Sequence, residues 1–154
     1  MKRNLLVAIA ASGLLLAGTA SAQEKKIKRS DLPPAVEKTV AAQSAGATIR
    51  GFSTEKEKGQ ILYEVEMTVN GHSKDISMTA DGSIVEIEEQ VSLDSLSPEV
   101  KAGLQAKAGK GKILKVESLT KKEKLVAYEA QVETNGKKSE VQVGPDGKPL
   151  DHEE

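Results

Sequence analysis

Ile61-Leu62-Tyr63-Glu64-Val65-Glu66-Met67-Thr68-Val69-Asn70-Gly71-His72-Ser73-Lys74-Asp75-Ile76-Ser77-Met78 decides the fold. From Ile61 to Val69 the odd positions are apolar or aromatic. After Leu62, the even positions are Glu64, Glu66 and Thr68. A period of two is that of a half-buried strand. Asn70-Gly71 then supplies two residues that tolerate positive φ, so the chain turns back as a hairpin with Ile76 and Met78 on the apolar side.

The same grammar recurs one unit later. Tyr63-Glu64 returns as Tyr128-Glu129, Asn70-Gly71 as Asn135-Gly136 and Asp81-Gly82 as Asp146-Gly147, each sixty-five positions on. Leu32-Pro33-Pro34-Ala35-Val36 returns as Leu96-Ser97-Pro98-Glu99-Val100 after sixty-four. Such a fixed offset marks an internal repeat. Pro34 and Pro98 suit a first helical turn, and Ser30/Asp31 and Asp94/Ser95 offer caps. The expected helices are Pro33–Ser44 and Pro98–Ala108, with Val36, Val40 and Ala41 on one face and Val100, Leu104 and Lys107/Ala108 on the other's. Gly46 and Gly109 follow as stops.

Strands are expected at Ala47–Thr54, Gln60–Val69, His72–Thr79 and Ser83–Glu88. Their counterparts are Lys112–Leu119, Lys124–Thr134, Lys137–Val143 and a short Lys148–Asp151. In the second copy Val126, Tyr128, Ala130 and Val132 oppose Ala127, Glu129, Gln131 and Glu133. The predicted fold is α+β: two tandem α-β-β-β-β repeats, their antiparallel sheets joined side by side, helices on one face and water on the other. The organisation expected is a signal peptide at 1–22, a flexible segment at 23–30, and repeats at 31–90 and 91–154.

Composition narrows the function. The chain of 154 residues has 22 basic and 23 acidic side chains, no Cys, no Trp, one Phe and two Tyr. Near-neutral charge without basic runs excludes a strongly basic nucleic-acid binder. Absence of Cys excludes disulfides, thiol catalysis and Cys-based metal sites. Lys2 and Arg3 precede an apolar stretch from Leu5 to Ala17 and the small residues Ala20-Ser21-Ala22, the order of a secretory signal cleaved after Ala22. Thr19 stands where a lipidated Cys would be, so no stable membrane anchor is expected after cleavage. The remaining 132 residues would carry 20 basic against 23 acidic side chains.

These motifs resemble the PepSY and PepSY-like superfamily of exported bacterial domains. The likeness rests on Leu32-Pro33-Pro34, Tyr63-Glu64-Val65 and Asp81-Gly82, with Leu96-Ser97-Pro98, Tyr128-Glu129-Ala130 and Asp146-Gly147. The tandem arrangement is similar to the β-lactamase-inhibitor-protein architecture. That resemblance implies a module without catalytic residues or cofactors, binding or regulating a secreted protein such as a peptidase. An inhibitor interface usually depends on aromatic anchors, whereas the two tyrosines here point into the core by parity.

On the polar face, Glu64, Glu66, Asp75, Glu129, Glu133 and Glu140 are the candidate partner-binding residues. They suit a secreted or envelope protein or peptide, or alternatively a small ligand or divalent cation. The competing reading is a solvated face neutralised by Arg50, Lys115 and nearby lysines. Asp81-Gly82-Ser83 and Asp146-Gly147-Lys148 read as turns, because the further oxygen ligands of a calcium loop are missing. His72 has no third ligand at metal-ligand spacing, and His152 sits in the acidic tail Asp151-His152-Glu153-Glu154; both read as exposed histidines rather than metal ligands. No nucleophile, phosphate-loop or dinucleotide motif appears, and oligomeric state stays open, with edge-strand pairing between chains one route.

Overall fold

The computed structural model describes residues 24–57, 59–152 and 154. The expected signal segment and its cleavage at Ala22 lie outside them. The described residues form one antiparallel sheet of eight strands in sequence order: β1 (Lys25–Lys26), β2 (Thr48–Glu57), β3 (Gln60–Val69), β4 (His72–Met78), β5 (Ile84–Val91), β6 (Lys112–Lys121), β7 (Lys124–Thr134) and β8 (Lys137–Val143). Helix α1 (Pro34–Gln43) precedes β2, and α2 (Pro98–Ala108) links β5 to β6. No described helix is long and apolar enough to cross a membrane.

The predicted class holds, and the elements differ in instructive places. β5 runs on to Val91 and pairs with β6, Val91 opposite Val116, which makes the two halves one sheet. The short strand expected at Lys148–Asp151 is absent. Lys148 instead returns its carbonyl to the Gly144 N–H at 2.8 Å, closing a turn that leaves no ladder partner. β1, unforeseen, covers part of the β2 edge.

Each helix buries its valines and leucines on the same side of the sheet. Val36 and Val40 pack with Phe52, Val65, Met67, Ile76 and Met78, while Val100 and Leu104 pack with Val116, Ala130, Val132 and Val143. Tyr63 and Tyr128 pack against these clusters, as parity requires. Ala41, however, is exposed. The expected caps also move. Arg29–Asp31 and Leu93–Ser95 form 3-10 turns ahead of the helices, and Ser97 caps α2, its Oγ accepting from the Val100 N–H at 3.3 Å.

The two Asp-Gly turns clamp helices to sheet. Gly82 and Gly147 have φ of 81° and 78°, conformations glycine adopts without a Cβ clash. Each turn presses on a helix: a Cβ on Gly82 would stand 2.5 Å from the Ala35 oxygen, and one on Gly147 2.2 Å from the Glu99 oxygen. Thr39 Oγ1 donates to the Gly82 carbonyl at 2.8 Å. At the matching place in α2 stands Gly103, close against Gly147. Asp81 and Asp146 accept from the N–H groups of Ser83 and Lys148, both at 3.1 Å, so they serve the turns.

Candidate functional site

The face opposite the helices is built by alternation. β2 contributes Gly51 and Ser53, β3 Glu64 and Glu66, β4 Ser73, Asp75 and Ser77, and β5 Glu86, Glu88 and Gln90. β6 adds Glu117 and Leu119, β7 Ala127 and Glu129, and β8 Gln142. Register then stacks carboxylates: Glu66 lies opposite Asp75, Asp75 opposite Glu88, and Glu117 opposite Glu129. Oxygens of Asp75, Glu88 and Glu117 all fall within 4.8 Å of one another.

Crowding and partial burial push four acids of this face, Glu64, Asp75, Glu88 and Glu129, toward their neutral forms. Glu88 is raised to about 8 by burial first, then by Glu86, Glu129, Glu117 and Glu64. Glu64 rises to about 7, again mainly by burial, with Asp75 and Glu24 next. Asp75 is raised by burial against the opposing pull of Arg50, and Glu129 by burial although Gln142 Nε2 donates to it at 2.8 Å. The cations are fewer. Arg50 Nη2 reaches Asp75 at 2.8 Å, Lys115 Nζ reaches Glu117 at 2.8 Å and Lys121 Nζ reaches Glu86 at 3.2 Å. Ser73 Oγ also donates to Glu117 at 3.0 Å.

Arg50 arrives through a backbone irregularity. Ile49 opposes Met67 but Gly51 opposes Glu66, so Arg50 is the extra residue of a bulge. The corresponding bulge in β6 carries Leu114, which is exposed.

Only part of the acidic set expected from sequence converges. Glu64, Glu66, Asp75 and Glu129 belong to the central patch. Glu133 and Glu140 are exposed toward the far edge, opposite Lys138 and Gln131, because β7 and β8 carry them beyond the centre. Glu86, Glu88 and Glu117 went unrecognised. The alternation Glu86-Ile87-Glu88 signals the first two, while Glu117 needs the pairing of β6 with β5 and β7. His72 and His152 are exposed and outside the carboxylate cluster.

The expectation of a fully wetted face also needs correction. Leu62, Leu119 and Ala127 lie on it yet are buried, as are Ser53 and Gln142. A hollow of about 330 Å³ at one end is lined by Glu55, Glu57, Leu62, Ser77, Val85, Glu86, Lys121 and Glu154. Glu154 closes its rim, its N–H donating to Gln142 Oε1 at 2.9 Å and its carboxylate 3.6 Å from Lys121.

Neither the family models nor the curated proteins compared contain a match to this chain. Solved structures do match. A protein from Bacteroides eggerthii designated periplasmic aligns at 20% identity and TM-score 0.62, covering 77% of this chain and 86% of its own. A DUF2874 family protein from Bacteroides ovatus aligns at 20% and 0.59, covering 77% and 84%. A BLIP-like protein from Bacteroides fragilis aligns at 22% and 0.55, covering 75% and 81%. In the path of its backbone, the chain shares the fold of these Bacteroides proteins, the BLIP-like one among them.

Proposed function

We propose that this protein is an exported, non-catalytic module whose open sheet face binds a cationic segment of another secreted or envelope protein, a peptidase being one such partner. The observation that carries this reading is the surplus of carboxylates at the centre of the face. Glu64, Asp75, Glu88 and Glu129 all have raised pKa values there. A Lys/Arg-rich segment laid across them supplies the missing positive charge and makes the ionised forms favourable. Export is supported by the Lys2/Arg3 to Ala22 pattern and by the periplasmic designation of similar folds. The PepSY-like assignment rests on the repeated Leu-x-Pro, Tyr-Glu and Asp-Gly motifs, and the BLIP-like fold agrees with it.

A divalent cation is the second reading, favoured by the oxygens of Asp75, Glu88 and Glu117 within 4.8 Å. Arg50 and Lys115 already neutralise two of the three, so the first reading is preferred. Crosslinked capture from the envelope fraction tests it, comparing the native chain with the triple variant Glu64→Lys, Glu88→Lys, Glu129→Lys. Loss of one specific partner in the variant is expected, while unchanged capture places the site elsewhere. Calcium titration by calorimetry separates the second reading: heat that vanishes in Glu88→Gln would transfer the face to a cation.

A further inference from the structure

The sheet ends at β8, and among the described residues no strand lies beyond its outer edge. Lys137, Lys138, Ser139 and Glu140 are all exposed there, in a regular strand that pairs residue for residue with β7 from Lys137 to Val143. The opposite end differs, since β1 already covers part of β2. An open, regular edge is a template for another strand. Lysines on such an edge usually discourage pairing, but here their placement is self-complementary.

We propose that two copies of this chain associate antiparallel through β8, about a two-fold axis at Ser139. In that register Lys138 of each copy faces Glu140 of the other, and Lys137 faces Val141. The acidic face of one sheet continues into the acidic face of the second. Lys138 already lies opposite Glu133 across the β7–β8 ladder, and Glu140 opposite Gln131. Pairing therefore extends a row that reads Glu133, Lys138, then Glu140 of the second copy, with unlike charges adjacent throughout.

Charge also rejects the neighbouring registers. Sliding by one pair toward the β7–β8 turn sets Lys138 against Lys138, and sliding the other way sets Glu140 against Glu140. Like charges directly opposite are destabilising. Odd registers place Lys138 of one copy on the opposite side of the ladder from its mate and mismatch the two faces. A two-fold interface uses the same patch on both copies, which is what a self-complementary strand provides. The favoured register also brings the Asn135-Gly136 turn of one copy beside Val143 of the other. Val143 borders an apolar cleft of about 360 Å³ with Gly103, Ala106, Lys107, Gly147 and Pro149, a place for the turn to settle.

Sedimentation velocity on the chain purified after export, over a wide concentration range, tests this directly. The native protein is expected to form dimers. Lys138→Glu and Glu140→Lys should each weaken association by about tenfold or more, because symmetry repeats each like-charge clash. The double exchange Lys138→Glu/Glu140→Lys restores opposite charges and should restore the dimer. Far-ultraviolet circular dichroism establishes that each variant is folded. A native chain monomeric at every concentration, dimers that survive both single reversals, or a double exchange that fails to recover them overturns the proposal.

Discussion

Gly103 in α2 lies so close to the carbonyl of Gly147 that a Cβ built on it would stand 2.1 Å from that oxygen. Glycine normally weakens a helix interior by about 1 kcal/mol relative to alanine. The tight approach reverses that preference. Gly103→Ala is expected to lower stability by about 1–3 kcal/mol, the usual cost of overpacking, measured as a drop in the urea midpoint. Gly51→Ala is the control, since its nearest neighbour would be Glu66 Oε1 at 3.7 Å, and it should change the midpoint little.

Ser53 concerns a hydroxyl without a partner. Its Oγ is buried and has no hydrogen-bond partner among the described residues, on the open face opposite Glu64. An unsatisfied buried hydroxyl costs about 1–3 kcal/mol. Ser53→Ala should therefore leave stability unchanged or raise it by about 1 kcal/mol. A clear loss in thermal or chemical denaturation would show that the hydroxyl has a partner in solution.

Glu64 and Glu88 make stability depend on pH. Both folded pKa values, about 7 and about 8, exceed the ordinary 4.5. Between those limits the native state holds protons that the unfolded chain has released, so stability falls as pH rises. The contribution is complete below about pH 4.5 and lost by about pH 8. Because both side chains remain partly solvated, the joint loss is on the order of 1–3 kcal/mol. Denaturation midpoints across pH 5 to 9 should decline in the native protein and flatten in Glu64→Gln/Glu88→Gln. Asp81 and Asp146, with lowered pKa values, act only at lower pH.

The α2 cap gives a local measurement. Ser97 Oγ accepts from the Val100 N–H, whereas Pro33, at the N-cap of α1, offers no side-chain cap. Ser97→Ala should cost about 1 kcal/mol. Ser97→Asp should retain most of that stability, because Asp also accepts the bond and favours the positive end of the helix.

The fold was readable because its signals are local. Alternation along Ile61–Val69, the Asn-Gly turns and the prolines at Pro34 and Pro98 each act within a few residues, and the sixty-five-residue offset says that the pattern recurs. Strand ends were less readable. β5 extends past Glu88 because β6 is there to pair with it, and Lys148 closes a turn because no neighbouring strand awaits it.

For the acidic face, parity alone sorts Glu64, Glu66, Asp75 and Glu129 away from the helices. It carries no information about distance between strands. Glu88 and Glu117 join Asp75 only through the register of β4, β5 and β6, and Glu133 and Glu140 fall outside for the same reason. Arg50 is directed to Asp75 by a bulge, which alternation cannot announce. Burial on a nominally open face is likewise a collective effect. Leu62, Leu119 and Ala127 are buried although parity puts them on that face, so local pattern assigns the side of the sheet while packing sets the solvent exposure and the protonation.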